Sequence, residues 1–263
     1  MRRGATFWGG LLILVGFVLV LNNLGLLGNI DIWGIIWPLF LVLLGVWFIW
    51  GTINRRPAES EHVEIPHEDA QSAHVVVQHG AGRLHIAAGT SQNNLLEGDF
   101  GGGLDFHAQR KGDQLNVRMR MPSQYLPIFW TPGSSLDWSF NLSKEVPLSL
   151  EIGSGANDTR LELTELKIHK LIVKSGVSST TVHLPASAGL TQVRVESGVS
   201  SVNLYVPEGV AARVRSQGGL SSINVDRNRF PKSGGIYQST DYEQAENKLD
   251  INVQMGVGSV FIK

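Results

Sequence analysis

The chain has 263 residues, 43% of them apolar, with 22 basic and 23 acidic side chains, a formal charge of −1 and no cysteine. That length allows one or two domains with a proper core. The near-neutral balance argues against a nucleic-acid binder, which needs a basic face. The missing thiols exclude disulfides, iron–sulfur clusters, thiolate zinc sites and cysteine nucleophiles, and leave the redox compartment open.

Residues 1–50 differ from the rest: they hold one acidic residue (Asp31), no base after Arg3, and five of the seven tryptophans. Two apolar runs lie there, 5–21 (ATFWGGLLILVGFVLVL), extendable to Leu27, and 32–50 (IWGIIWPLFLVLLGVWFIW). A helix of about 20 residues crosses the hydrocarbon of a bilayer and satisfies its own backbone hydrogen bonds. The runs therefore predict a transmembrane helical hairpin over 1–50. Arg2 and Arg3 ahead of a short apolar core also fit a secretory signal, but no small-x-small site leads into a polar mature start. The first run is read as retained.

The runs resemble each other, Trp8 and Gly16 recurring as Trp37 and Gly45 at an offset of 29. Gly16 and Gly45 either permit close helix approach or are ordinary membrane-helix glycines. Trp8, Trp33, Trp37, Trp47 and Trp50 fall near run ends, where aromatic rings favour the headgroup region. Arg2, Arg3, Arg55 and Arg56 flank the hairpin while 22–31 carries no Lys or Arg, so the positive-inside rule puts both ends, and all that follows, in the cytoplasm.

Residues 51–62 (GTINRRPAESEH) read as a polar linker, and 63–263 as a repeat domain. The copies are VKSGVSSTTVHLP (173–185), VESGVSSVNLYVP (195–207), SQGGLSSINV (216–225), IGSGANDTRLEL (152–163), VQHGAGRLHI (77–86) and VQMGVGSVFI (253–262). Val177, Val199 and Leu220 follow the repeat glycine at spacings of 22 and 21, and Ala156 lies 21 before Val177. Alternating apolar pairs follow, Leu84/Ile86, Val202/Leu204, Ile223/Val225 and Val260/Ile262; in two copies the pair falls two residues later, as Leu161/Leu163 and Val182/Leu184, which suggests a longer turn. Period-two alternation marks half-buried strands, and a fixed period marks stacked units sharing one core. The prediction is an all-β solenoid with coils of about 21 residues. Its turn glycines are Gly80, Gly155, Gly176, Gly198, Gly219 and Gly256, read as corners that tolerate positive φ.

Within 63–150 strands are predicted at Ala73–Gln78, Leu104–Arg110, Gln114–Met121 and Leu136–Leu142, with a turn at Lys111-Gly112-Asp113. Residues 122–135 (PSQYLPIFWTPGSS) form an insertion whose Tyr125, Phe129 and Trp130 either cap the solenoid or touch a partner or the membrane. Residues 226–248, with Phe230, Tyr237 and Tyr242, delay the last coil, since Leu220 and Val257 are 37 apart. Lys263 ends an apolar strand, so an open edge for self-association or partner docking is expected there.

The segments LNNLG (21–25) and WPLFLVLLG (37–45) resemble the two-helix region of bacterial LiaI/LiaF-like membrane proteins, and residues 138–185 resemble the toastrack, or LiaF-like C-terminal, β-repeat domain. The resemblance implies a bacterial cell-membrane protein acting as an envelope-stress or signalling accessory, in the best-known cases on a membrane histidine kinase. It brings no catalytic residues.

Reactive side chains point the same way. His62, His67, His74, His79 and His85 cluster in sequence, but His74 and His79 are an odd number apart and face opposite sides of a strand; they are read as solvated strand histidines, with no metal or other cofactor. The repeated Ser178/Ser179, Ser200/Ser201 and Ser221/Ser222 lack a base and an elbow and are read as turn residues. Lys174 and Glu196 match one coil apart and are expected to pair. The expectation is a non-enzymatic, membrane-anchored binding or regulatory module whose partners are the bilayer and other membrane proteins. The alternative is a structural protein whose solenoids assemble into homo-oligomers.

Overall fold

The computed structural model describes residues 37–38, 40–46, 60–122 and 136–263, and the chain divides into two compact units, Met1–Asn54 and Arg55–Lys263. In the first, residues 37–38 and 40–46 are helical, inside the second apolar run. Trp37 stacks on Phe40 at 5.8 Å. Gly45 lies in this stretch. The helical hairpin otherwise, with Gly16, Trp8, Trp33, Trp47, Trp50 and all four topology arginines, lies outside the described residues, as do Tyr125, Phe129 and Trp130. Among the described residues no helix is long and apolar enough to cross a membrane.

Among its described residues the second unit is all β. Its strands are β1 (Ser60–Pro66), β2 (Ser72–Ala88), β3 (Asn94–Gly101), β4 (Asp105–Lys111), β5 (Gln114–Arg120), β6 (Trp138–Leu142), β7 (Leu148–Glu162), β8 (Ile168–His183), β9 (Leu190–Tyr205), β10 (Ala211–Val225), β11 (Lys232–Ser233), β12 (Ile236–Gln238) and β13 (Lys248–Ile262). Six long strands stack in the order β2-β7-β8-β9-β13-β10, and every pairing between them is parallel. β1 begins at Ser60, so the expected linker 51–62 loses its last three residues to the sheet.

Burial within each long strand explains the coil. In β8, Ile168 is buried at the start, and the buried side chains flanking the corner are Leu171 and Val173 before Gly176, then Thr180 and Val182 after it. The interval from 173 to 180 is odd, and a flat pleat keeps one face at even intervals. Each strand therefore changes facing at its glycine and supplies two faces of one core. Register is continuous through this corner: Thr159, Thr180 and Val202 align, as do Leu161, Val182 and Leu204. The longer turn expected in two copies is thus absent. Thr159 and Thr180, each 1% exposed, fill the inward position that Val202 holds elsewhere, and polar threonine hid the pattern.

The end of the repeat is the larger correction. β13 lies between β9 and β10 and is paired on both sides, Val257 with Val199 and with Leu220. The strand ending beside Lys263 is internal, not an edge. The link from β9 to β10, Val206–Val210, steps over two strand spacings, about 10 Å, within the ~16 Å reach of five residues. Arg229 holds this link by donating to the Val206 and Pro207 carbonyls at 2.8 and 2.9 Å. Residues 226–248 then cover the core at this end but not the strand edge: Phe230, Tyr237 and Tyr242 are buried, and β12 pairs with only Arg213 and Val214 of β10.

At the other end β2 is covered in two parts. Its first half pairs with β5, which pairs with β4; its second half pairs with β6, followed by β3 and β1. β4, β5 and the turn at Gly112 (φ 64) lie where the sequence places them, whereas β1 and β3 were not predicted. Phe100 and Phe140 stack at 5.5 Å and Phe100 meets Trp138 edge-on at 5.2 Å, closing the core here.

Candidate interaction surface

The corner of the coil carries the surface. The turn glycines form a ladder across the stack: a Cβ added to Gly155, Gly176, Gly198 or Gly256 would fall 2.6, 2.8, 2.8 or 2.7 Å from the backbone oxygen of Gly80, Gly155, Gly176 or Gly198, and one on Gly219 would sit 3.1 Å from that of Gly256. None of these glycines has a left-handed φ. Close approach between coils, rather than positive φ, is what requires glycine here.

With side chains forbidden at the glycine, the next residue projects outward. Ala81, Ala156, Val177, Val199, Val257 and Leu220 stand in register. The last four are 59, 51, 46 and 82% exposed. From Ala156 to Leu220 the row runs about 19 Å at the ordinary strand spacing. An exposed apolar row repeated in every coil is a feature to explain, because isolated surface hydrophobics are commonplace and contiguous ones mark contacts.

Beside this ridge runs a shallow open groove of about 740 Å³, lined by Ser154, Lys174, Ser175, Glu196, Gln217 and Gln254 among others. Lys174 and Glu196 are in register, but the expected ion pair between them is not made. Lys174 Nζ instead donates to Glu151 at 3.0 Å, half exposed, and this hydrogen bond is the main reason its ammonium is held above the ordinary lysine range. Glu196 pairs with Arg194 of its own strand. The corner serines bond one another: Ser178 donates to Ser175 at 2.9 Å, Ser197 meets Ser200, and Ser259 reaches Ser201 across coils at 3.4 Å. Ser178, Ser200 and Ser201 are thus engaged within the stack.

The histidines disperse. His62 bonds Asp99 at 3.0 Å, which raises its affinity for a proton, and His67 accepts from the Asp69 amide. His79 overturns the solvated reading. It is 1% exposed, packs on Trp138 at 5.0 Å and bonds the Leu136 carbonyl through Nε2 at 2.8 Å. Burial pushes its pKa below the ordinary value. The carbonyl only accepts, so Nε2 carries the proton and Nδ1 is a bare acceptor. Nothing in the sequence distinguished His79 except its parity with Val75 and Val77, both fully buried. Among the described residues no three His, Asp or Glu side chains converge as metal ligands would.

Comparison with known proteins agrees with this geometry. Residues 54–205 match the N-terminal domain of toast_rack, DUF2154, more than half of the chain. The chain belongs to the toast_rack family. Residues 7–60 match the LiaF transmembrane domain, which places the toast-rack domain on a membrane-associated chain. The toast-rack match ends at Tyr205, the end of β9, so β10 and the intercalated β13 lie beyond it.

A crystal structure described as a candidate cell adhesion protein from Clostridium sporogenes is similar with a TM-score of 0.72 at 20% identity, covering 78% of this chain and 98% of that one. That likeness is one of fold. A candidate adhesin from Bacteroides fragilis aligns over 78% of this chain and 97% of its own at 9% identity, with a TM-score of 0.29. No curated protein matches the chain.

Proposed function

We propose that this toast-rack protein is a non-enzymatic binding module of the bacterial envelope, held at the membrane by residues 1–50, that regulates another membrane protein by direct contact. The observation that carries the reading is the exposed row Val177, Val199, Val257 and Leu220, rigidly spaced beside a polar groove. Such a row offers apolar contact area without an ordering cost, because the ladder of corner glycines fixes it. Confinement to the bilayer surface raises its effective concentration near membrane partners.

The positive-inside pattern of Arg2, Arg3, Arg55 and Arg56 favours a cytoplasmic domain. There an envelope-stress histidine kinase, as the LiaF resemblance implies, is within reach. Gly16 and Gly45 would bring the two helices together, with the tryptophans at the interfaces.

The test compares the intact chain with a Val177→Ser, Val199→Ser, Val257→Ser variant, each affinity-purified from native membranes. A membrane histidine kinase or transporter in stoichiometric yield with the first, and lost with the second, supports the reading. Equal recovery with both overturns it. A reporter at the C-terminus, active only in the cytoplasm, tests the side of the membrane.

A further inference from the structure

The stack ends unevenly, and the difference concerns strand edges. At the β2 end the outer strands are β1 and β4. β1 carries Glu61, His62 and Glu64. All of β4 is exposed, with Asp105, His107, Arg110 and Lys111. Charges on an edge strand discourage pairing with another chain. At the opposite end β12 covers only Arg213 and Val214 of β10. From Arg215 to Val225 β10 pairs, among the described residues, with β13 alone. This open edge has no charge from Ser216 to Val225, and it contains Leu220, the most exposed residue of the ridge at 82%.

The open run is also symmetric about that residue, since Arg215 and Val225 are each five positions from Leu220. A second copy running antiparallel would meet the corner at the same point, because a two-fold axis along the bisector of the bend maps the half of the strand before the corner onto the half after it. Such a contact uses the same patch twice, as closed dimers do.

We infer that two copies of this chain pair through β10, antiparallel, with Leu220 of both copies on the two-fold axis and Ser216 opposite Asn224. The neutral edge sets no like charges against each other. Pairing would satisfy the outward backbone groups of β10 and join the two ridges into one apolar row. The inference does not depend on which protein the module regulates: co-purification reads a different chain, so the two experiments fail separately.

The absence of cysteine makes the test clean. Opposed residues of an antiparallel pair have Cα atoms about 4.5–5.5 Å apart, inside the span a disulfide bridges. Full-length Leu220→Cys, oxidised in membranes with copper phenanthroline, is expected to give a dimer-sized band. Ser216→Cys or Asn224→Cys alone is expected to give none, and the two chains co-expressed are expected to cross-link. Adding Ser222→Lys to Leu220→Cys puts charge on the edge and should abolish the band, while circular dichroism shows the β signal retained. No band from Leu220→Cys overturns the inference, whether the edge is bare or covered by a different protein. Bands of equal strength from Ser216→Cys alone overturn it too, since they indicate parallel pairing or random collision.

Discussion

Replacing Gly198 by alanine tests the glycine ladder most directly. The added Cβ would sit 2.8 Å from the Gly176 oxygen and 3.7 Å from its carbon, on a backbone that cannot rotate away as a flexible side chain could. Neighbouring coils would have to part by a few tenths of an ångström at the corner, in strands paired on both sides. Overpacking of this kind costs about 1–3 kcal/mol. The control is Gly153→Ala, two residues before the corner glycine of its coil, where the nearest atom to a new Cβ is the Val77 oxygen at 3.9 Å. There, loss of unfolded-state freedom alone stabilises by about 0.4–1 kcal/mol. For a domain of this size 1 kcal/mol moves Tm by about 2–4 °C. Thermal unfolding of the full chain in detergent, followed by the β signal in circular dichroism, should show Gly198→Ala lowered by roughly 2–12 °C and Gly153→Ala unchanged or slightly raised. Equal Tm values for the two variants would refute the close approach of the coils.

Other perturbations probe the rest of the fold. Burial lowers the folded pKa of His79, so between the two values the unfolded chain binds more protons; its contribution is present above pH ~6.5 and is lost as pH falls from there through the lower folded value. His79→Gln, which can still donate to the Leu136 carbonyl, should flatten the fall of Tm between about pH 7 and 5; identical slopes would show that burial does not lower the pKa of His79. His62, raised by Asp99, acts with the opposite sign. Phe230→Ala empties a fully buried site over the end of the stack and should cost about 3–5 kcal/mol in chemical denaturation. Thr180→Val, copying Val202, removes a hydroxyl that hydrogen-bonds Ser178 at 3.3 Å and should change stability by no more than about 1.5 kcal/mol, the worth of one such bond; a larger loss would refute the equivalence of the two inward positions. Removing 248–263 should abolish the sheet signal beyond β9, whereas loss of a terminal coil would leave a shorter folded stack for limited proteolysis to detect.

Much of this was legible in the sequence because each coil repeats its grammar: a glycine, an outward apolar residue, then inward alternation. The six corner glycines and the ridge residues could be aligned by eye, and their register in the sheet follows that alignment. Spatial order could not be read. Val199 and Leu220 are 21 apart like true neighbours, yet β13 separates their strands, since a period reports coil length and not which coil lies next. Thr159 and Thr180 were missed because a polar atom occupied an inward position, and β1 and β3 because Glu64, Glu97 and Asp99 interrupt their apolar residues. The exposed ridge was visible as residues but not as exposure: Val177 and Val199 look like core until the corner turns them outward.

Intercalation of β13 sets the order in which this protein can mature. An ordinary solenoid can grow coil by coil as it leaves the ribosome, each new turn docking on the one before. Here the slot beside β9 stays vacant until residues 248–262 have been synthesised and threaded in, while β10 waits detached. The apolar segments near the N-terminus emerge long before that. Membrane delivery would therefore precede completion of the domain, and a nascent chain stalled after β10 would expose two unsatisfied sheet edges to quality-control proteases.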